Sequence, residues 1–297
     1  MMLVVVLGQL LAVVLAMLLV GAGVIVGRDR LVQTRNEYRQ RFEAVAPYLG
    51  LLVAVLVANK IARDIGPGIS WVIGLNVTPY IHRLDGLLLW PLYRESTPQV
   101  VVWLQSRGTP ELTAYFSFVY VFGYVFLLVF PLVAYFSLAD PRPIRRAIVA
   151  YGVNYLIGVL CYVVFIAYGP RNLIAGQVEG LLFTQYTQYQ FLTAEINDPT
   201  NVFPSLHTSM AVTAALLAWT TREQYPRWPP VAAVLAVSVA LSTMYLGIHW
   251  ATDVVFGIAL GWVSVRVGRR MEETPPDVRG FGARLRSRFG TLPSCIR

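Results

Sequence analysis

Long apolar runs, separated by short segments that carry many of the arginines, set the pattern of the chain. The first run, Leu3–Val26, has 24 residues and no charge, and about 20 apolar residues suffice to cross a bilayer as a helix. The same reasoning along the chain predicts spans at residues 3–26, 48–61, 112–138, 147–168, 205–220, 230–247 and 251–267. The chain is therefore predicted to be all-α, a polytopic membrane bundle of about seven transmembrane helices.

The arginines indicate which way these helices run. They cluster after the first span and in every second connection from there on, at residues 28–41, 142–146, 222–227 and 266–270. Because cytoplasmic connections carry an excess of Lys and Arg, these segments are predicted to lie inside and the amino terminus outside. The span at 48–61 is short, but it is counted because the basic turn 142–146 would otherwise fall on the outer side.

Composition along the chain predicts three regions. Residues 1–46 are expected to form a transmembrane helix and a basic cytoplasmic loop, and residues 47–270 a membrane-embedded domain. Residues 271–297, rich in Pro, Gly and Arg, are predicted to be a disordered cytoplasmic tail. Gly-Pro breaks and scattered Trp side chains between residues 63 and 110 indicate interfacial helices and re-entrant pieces rather than a soluble domain.

Overall composition agrees with a membrane protein. Hydrophobic residues make up 56% of the chain and charged residues 13%, whereas soluble domains are about 25% charged. The net charge of +8 does not indicate a nucleic-acid partner, because the arginines follow the pattern of cytoplasmic loops. The two cysteines, Cys161 in an apolar run and Cys295 in the tail, are not expected to pair.

Two polar stretches contain two of the three histidines. His207 follows Pro204 and Ser205 at a predicted helix start, and His249 lies between the sixth and seventh predicted spans. Ionisable side chains near membrane depth are costly and are read by default as functional. The predicted topology puts both histidines on the extracytoplasmic face, where they can share one site.

The spacing within these stretches indicates a reaction type. His249 and Asp253 are four residues apart, so on a helix they share one face. The carboxylate can accept a hydrogen bond from one ring nitrogen and leave the other free as a nucleophile. The helix start after Ser205 offers N–H groups to a phosphate. Together these features predict phosphoryl transfer through a phosphohistidine.

The two stretches resemble the second and third motifs of the type 2 phosphatidic acid phosphatase superfamily. Those motifs are Ser-Gly-His, and Ser-Arg followed by five residues, His, three residues and Asp. The spacing is kept by Ser205-Leu206-His207 and by Ser242-Thr243 with His249 and Asp253, in a resemblance covering roughly residues 110–270. It implies a six-helix core and no metal or other cofactor. It also implies that His249 is the nucleophile, Asp253 orients it, and His207 protonates the leaving group.

Two departures from the motifs bear on the reaction. Leu206 stands where Gly is usual and Thr243 where Arg is usual, and both resemble the inositolphosphotransferase branch, which includes fungal inositol phosphorylceramide synthase. The resemblance therefore favours a lipid phosphotransferase that uses a membrane phospholipid or lipid phosphate and a polyol or lipid alcohol acceptor. The alternative is a lipid phosphate phosphatase that hydrolyses phosphatidic acid or an isoprenoid phosphate.

The superfamily's first motif, Lys, six residues, Arg-Pro, is absent. The candidates to hold phosphate in its place are cations at the outer ends of spans and hydroxyl groups beside the histidines, namely Arg171, Lys60, Ser205, Thr208 and Ser242. Arg171 is equally well explained as an interfacial arginine. The run 183–191 alternates aromatic or hydroxyl groups with amides, and it indicates either an interfacial aromatic belt or, less commonly, a polyol site.

Two other classes of function would use the same residues. Zinc bound by His207, His249 and Asp253 is chemically reasonable, and a transporter could use the histidines as a proton relay. Transport is disfavoured because the polar residues lie at the interface and the predicted spans carry no charge near their centres. Zinc is disfavoured because the resemblance implies metal-independent chemistry.

Overall fold

The computed structural model describes residues 2–88, 99–189 and 200–271, most of which are helical. In chain order the helices are α1 Met2–Gly21, α2 Arg28–Asn36, α3 Tyr38–Ile73, α4 Thr78–Leu88, α5 Val100–Gln105, α6 Pro110–Phe118, α7 Tyr124–Phe136, α8 Arg142–Val164, α9 Pro170–Leu173, α10 Leu181–Gln185, α11 Leu206–Thr220, α12 Trp228–Tyr245 and α13 Ala251–Met271. The predicted all-α fold is confirmed.

Irregular turns and two very short strands complete the described structure. Wider, π-helical turns follow α1 at Ala22–Val26 and join α6 to α7 at Val119–Gly123. The two-residue strands β1, Leu75–Asn76, and β2, Phe165–Ile166, pair in parallel. The predicted tail, residues 272–297, lies outside the described residues, as do residues 190–199 of the segment between the fourth and fifth predicted spans.

The chain is a multi-pass membrane protein. Within the described residues, six helical stretches are long and apolar enough to cross a membrane: Leu3–Val26, Tyr38–Gly66, Pro110–Phe136, Arg142–Val164, Trp228–Tyr245 and Ala251–Met271. They correspond to six of the seven predicted spans. The remaining one, α11, has 15 residues and is about 22 Å long, less than the roughly 30 Å of a hydrocarbon core.

Two segments are more helical than the sequence suggested. The basic connection after the first span is largely helical, since α2 covers Arg28–Asn36 and α3 begins at Tyr38; Arg, Gln and Glu are good helix formers. Helix α3 also continues through Gly66-Pro67-Gly68, where a break was expected. Proline is tolerated in membrane helices because neighbouring groups satisfy the backbone that it frees.

Helix α11 packs against α7, α8, α12 and α13. Two glycines of α13 allow its backbone to approach α11 closely. A Cβ at Gly257 would lie 2.6 Å from the Ser205 carbonyl oxygen, and one at Gly261 would lie 2.7 Å from that of Ser209. Small residues four positions apart commonly permit such close packing in membranes. The contact fixes the N-terminus of α11 beside that of α13.

A buried polar network holds the same helices in register. Asn154 of α8 donates to Oγ1 of Thr213 at 3.0 Å and accepts from Oγ of Ser209 at 2.8 Å. Thr213 in turn donates to the Ser209 carbonyl at 2.8 Å. Buried networks whose members are mutually hydrogen-bonded tend to rigidify a core. Helix α11 is therefore anchored directly below its N-terminal turn.

The arginine-rich segments gather at one end of the bundle. Arg30 donates to the Gln224 carbonyl at 2.9 Å, and Arg145 donates to that of Ala44 at 2.9 Å. We call this the arginine end, formed by residues 28–41, 142–146, 222–227 and 266–270. The opposite end, where α11 and α13 begin, is called the histidine end.

Candidate active site

His249 lies in a tight turn between α12 and α13. The N–H groups of Ile248 and His249 both donate to the Thr243 carbonyl, each at 3.0 Å. Gly247 in this turn has a φ of 74°, which favours glycine. A Cβ there would also lie 2.6 Å from the carbonyl oxygen of Glu179. The turn thus fixes the backbone position of His249.

His249 faces Asp253, near the start of α13. Nδ1 of His249 lies 3.5 Å from Oδ2 of Asp253, and the same oxygen accepts a hydrogen bond from the Trp250 N–H at 2.8 Å. Both side chains are buried. The four-residue spacing therefore brings the two groups together as expected. The contact is loose, as hydrogen bonds of catalytic groups often are before a substrate binds.

The surroundings of His249 keep its ring neutral. Burial lowers the pKa of His249 to about 3. The positive charge of Arg171 acts in the same direction, whereas a hydrogen bond with the backbone of Val202 favours the protonated ring. An imidazole that is neutral at pH 7 has a lone pair available for attack.

Ser205 caps α11 and connects the two histidine stretches. Its Oγ accepts from the Thr208 N–H at 3.3 Å and donates to Oγ1 of Thr208 at 3.0 Å. The Ser205 N–H donates to the Asp253 carbonyl at 3.1 Å. The predicted helix start at Ser205 is confirmed. Both hydroxyls take part in the cap. Through the Ser205 N–H, the cap is hydrogen-bonded to Asp253, whose side chain faces His249.

His207, in the first turn of α11, lies across from His249. Their ring centroids are 6.2 Å apart. The His207 ring also lies against two tyrosines at the junction of α6 and α7, with its centroid 4.6 Å from that of Tyr120 and 4.7 Å from that of Tyr124. The two histidine stretches therefore form one cluster at the histidine end.

Arg171 lies beside this cluster. Its backbone N–H donates to the Gly247 carbonyl at 3.2 Å, which attaches α9 to the His249 turn, and its guanidinium lies 4.6 Å from the Phe183 ring centroid. Burial lowers the pKa of Arg171, although a guanidinium stays charged at neutral pH. Its Nη1 is buried without a hydrogen-bond partner. A half-buried guanidinium with an unused, buried N–H beside His249 suits an anion.

Two other predicted phosphate ligands point elsewhere. Oγ of Ser242 donates to the Val239 carbonyl of its own helix at 2.7 Å. Lys60 is 76% exposed, and its ammonium lies 3.5 Å from Asp64. Of the two cations proposed from the sequence, Arg171 is therefore the one that the structure brings to the histidines.

The two departures from the superfamily motifs have local explanations. A Cβ on Gly158 of α8 would overlap the Leu206 side chain, so Leu206 fills the space left by that glycine. Oγ1 of Thr243 donates to the Ala240 carbonyl at 2.8 Å, and the Thr243 carbonyl holds the His249 turn. Both residues therefore serve packing and turn geometry in this chain.

Sequence reasoning missed Asp85 of α4, which caps α13 from a distant part of the chain. Its Oδ1 accepts from the Ala251 N–H at 2.6 Å and the Thr252 N–H at 3.3 Å, and its Oδ2 accepts from the Val100 N–H at 3.2 Å. Burial raises the pKa of Asp85, and these hydrogen bonds act in the opposite direction. A carboxylate at a helix N-terminus is stabilising, and this one fixes the turn that carries Asp253.

The sequence carried one signal for Asp85. Thr78, Ile81 and Asp85 are the buried residues of α4, and their spacing of three and four residues puts them on one helical face. A carboxylate on an otherwise buried face needs a partner. Tyr120 and Tyr124 left no comparable signal, because only the packing of α11 against α7 brings them to His207.

The cluster combines a neutral imidazole, a carboxylate behind it, a second imidazole opposite, a guanidinium and a helix N-terminus. Such a set can hold a tetrahedral anion and supply a nucleophile and a proton donor to it. Among the described residues, no group of three or more His, Cys, Asp or Glu side chains is arranged to hold a metal ion.

Comparison with known proteins gives one family. Residues 93–267 match the family described as the PAP2 superfamily. The match covers more than half of the chain and includes every residue of the cluster except Asp85. No solved structure matches the chain.

Two curated relatives are similar over shorter stretches. The chain is 26% identical over 140 residues to an undecaprenyl-diphosphatase of Sulfolobus acidocaldarius, which covers 45% of this chain and 64% of that protein. It is 32% identical over 89 residues to a decaprenylphosphoryl-5-phosphoribose phosphatase of Mycobacterium tuberculosis, which covers 30% of this chain and 48% of that protein. The chain thus spans less than two thirds of either relative.

Proposed function

Because the chain belongs to the PAP2 superfamily, we propose that it is a membrane phosphatase that hydrolyses a lipid-linked phosphate through a phosphohistidine on His249. The observation that carries the proposal is the convergence of His249, Asp253 and His207 in one buried cluster, with the His249 and Asp253 side chains 3.5 Å apart and the two imidazole rings 6.2 Å apart.

In the first step, Nε2 of His249, which does not face Asp253, attacks the phosphorus atom. The bond between phosphorus and the leaving oxygen breaks, and His207 gives its proton to that oxygen. The Asp253 carboxylate holds the ring through Nδ1 and stabilises the positive charge that the attack creates. The products are a phosphohistidine and the protonated leaving group.

In the second step, water attacks the phosphohistidine. His207, now neutral, takes a proton from the water, the bond between phosphorus and Nε2 breaks, and inorganic phosphate leaves. Arg171 and the N-terminus of α11 stabilise the phosphoryl oxygens in both steps. No metal takes part in this scheme.

Hydrolysis is better supported than transfer. The two relatives are named as phosphatases of polyprenyl-linked substrates, which favours a lipid phosphate or diphosphate with a long isoprenoid chain. Leu206 and Thr243, which resemble the inositolphosphotransferase branch, have local roles in packing. Transfer to a polyol or lipid alcohol acceptor stays a prediction from that resemblance.

The test is a product analysis with purified protein. Undecaprenyl diphosphate, undecaprenyl phosphate and phosphatidic acid are supplied in detergent, with and without inositol or glycerol, and with and without EDTA. We expect inorganic phosphate as the main product, no loss in EDTA, and no phosphate release by His249→Ala. A phosphorylated acceptor would favour the transferase, and loss of activity in EDTA would favour a metal site.

We also propose that the site faces the extracytoplasmic side, because the arginine segments meet at the opposite end of the bundle and such segments favour the cytoplasm. Gly176 at the histidine end and Arg35 at the arginine end are both exposed. In a background with both native cysteines replaced by Ser, an impermeant maleimide should label Gly176→Cys in intact cells and should label Arg35→Cys only after permeabilisation. The reverse pattern would contradict the proposed orientation.

A further inference from the structure

The His207 ring lies between two tyrosine rings supplied by one helix. The Tyr120 ring is stacked on it, with a centroid distance of 4.6 Å and an interplanar angle of 28°. The Tyr124 ring lies 4.7 Å away at 45°. Both distances are in the range of direct aromatic contact. The other side of the cluster is occupied by His249, 6.2 Å from His207.

The helix that supplies the two tyrosines is widened at this point. Tyr120 lies in the π-helical turn Val119–Gly123, and Tyr124 is the first residue of α7 after it. Turns of this kind are rare and are frequent at functional sites. The turn brings side chains four residues apart to the same imidazole. Tyr120 is buried, so its ring has little freedom to move away.

From this geometry we infer that Tyr120 and Tyr124 are positioning residues, which hold the His207 imidazole in the orientation that delivers its proton to the leaving oxygen. The inference rests on the proposed function, in which His207 is the acid. An acid must lie within hydrogen-bond reach of the atom that it protonates, and a displacement of about 1 Å can cost on the order of 100-fold in rate. Rings against the imidazole restrict such displacement.

The distance between the histidines fits this role. The ring centroids of His207 and His249 lie 6.2 Å apart, which is near enough for both imidazoles to act on one phosphoryl group. Tyr120 also interacts electrostatically with Arg171. The same side chain therefore lies against the proposed acid and within electrostatic range of the proposed phosphate ligand.

The experiment distinguishes the effect of the tyrosine ring from that of its hydroxyl. It also distinguishes the two tyrosines from another aromatic residue of the same turn. The variants are Tyr120→Leu, Tyr120→Phe and Tyr124→Leu, with Phe122→Leu as the matched control. Phe122 is a buried aromatic residue of the same turn that contacts Phe118 and Tyr189. Each is made alone and combined with His207→Ala, and kcat and KM are measured for release of phosphate from undecaprenyl diphosphate.

We expect Tyr120→Leu to lower kcat about 10- to 100-fold, which is at or below the 10²- to 10⁴-fold that a whole general acid contributes because His207 is displaced rather than removed, with little change in KM. Tyr124→Leu should cost less, and Tyr120→Phe and Phe122→Leu should stay within about threefold of the wild type. Because the tyrosines act through His207, Tyr120→Leu should cost nothing further in the His207→Ala background. Independent structural effects would instead combine additively in free energy.

Three results would overturn the inference. They are a loss in Tyr120→Leu no larger than in Phe122→Leu, the same fold loss with and without His207, or a loss in Tyr120→Phe as large as in Tyr120→Leu. If the wild type releases no phosphate, or His207→Ala matches it, the proposed function fails instead. The two failures are therefore distinguishable within one series of measurements.

Discussion

The two ends of the bundle use charge in different ways. At the arginine end, cations lie on backbone carbonyls and partly exposed carboxylates, as Arg41 does on Glu37, Phe136 and Leu138. At the histidine end, polar groups are buried and incompletely paired. Of the Arg, His and Asp side chains that the structure describes, those with a buried atom lacking a hydrogen-bond partner are Arg171, His249 and Asp253.

This difference in pairing distinguishes the ionisable groups that stabilise the fold from those that are expected to bind a substrate. A buried ionisable group without its hydrogen bonds costs free energy whether it is charged or neutral, so stability alone would not keep Arg171, His249 and Asp253 in this state at one end. The arginines of the arginine end have acceptors within the chain, although neutral side chains there, such as Tyr48 and Tyr135, have a buried hydroxyl oxygen without a partner. The unused hydrogen-bonding capacity of the ionisable side chains lies around His249 and indicates where a substrate is expected to complete the set.

The largest expected difference in activity comes from replacing an aspartate by asparagine at each end of the bundle. Asp253→Asn leaves the size of the side chain unchanged but removes the charge that orients His249, and the comparable change in a serine-protease triad costs about 10⁴-fold in kcat. Asp140→Asn is the control, since Asp140 at the arginine end accepts from the N–H of Arg142, the first residue of α8, at 3.0 Å. Phosphate release should fall by about that factor in the first variant and stay near wild type in the second. Equal activities would remove the distinction between the ends.

A smaller loss is expected from the capping residue of α13. Asp85→Ala leaves three backbone N–H groups without their acceptor and frees the turn that carries Asp253, so kcat should fall about 10- to 100-fold. Asp64→Ala is the matched control, because Asp64 is 62% exposed. Melting temperature and kcat are measured together. An active and stable Asp85→Ala variant would show that the cap has no part in the site.

At the arginine end, a buried cation should matter for stability alone. Arg41→Met removes hydrogen bonds to the Phe136 and Leu138 carbonyls at the end of α7. Hydrogen bonds to charged groups contribute about 1.5–3 kcal/mol each, so the melting temperature should fall. The kcat of the folded fraction should not change. A loss of kcat at an unchanged melting temperature would contradict the separation of the two ends.

The smallest expected effect is a pH dependence of stability that belongs to the histidine end. The pKa of His249 is about 3 in the folded protein, against an ordinary value of 6.5, so between these values the unfolded chain binds a proton that the folded chain does not. Stability should therefore fall as pH drops from about 6.5 towards 3, by on the order of 1–2 kcal/mol at pH 5. The His249→Gln variant should lose less stability over the same pH interval. If the melting temperatures of the wild type and of His249→Gln fell equally with decreasing pH, a buried, neutral His249 would be contradicted.

The sequence predicted the parts of this molecule that depend on local pattern. Apolar length located six spans, the Pro204-Ser205 signal located the start of α11, and the four-residue spacing brought Asp253 to His249. Each of these follows from helix geometry or capping within a few residues. The helical structure of α2 and the continuation of α3 through Gly66-Pro67-Gly68 were not predicted, because helix propensity and the membrane setting override single turn signals.

The rest depends on contacts between distant segments. Asp85 reaches α13 across 166 positions of the chain, and Tyr120 reaches His207 only because α11 packs on α7. In the sequence, Leu206 resembled a feature of the inositolphosphotransferase branch. In the structure it fills the space beside Gly158 of α8 and therefore has a packing role. Such pairings have no periodic signature in a single sequence.

The central claim is that His249 forms a covalent bond to phosphorus. The most direct measurement uses undecaprenyl diphosphate labelled with ³²P in its terminal phosphate, added to purified wild type, His207→Ala and His249→Ala and quenched within one turnover. We expect acid-labile, alkali-stable label on the wild-type protein and none in His249→Ala. In His207→Ala, which lacks both the acid of the first step and the base of the second, the label should form more slowly and persist longer than in the wild type. Protein-bound label in His249→Ala, or phosphate release by the wild type with no label on the protein at any time, would contradict the account.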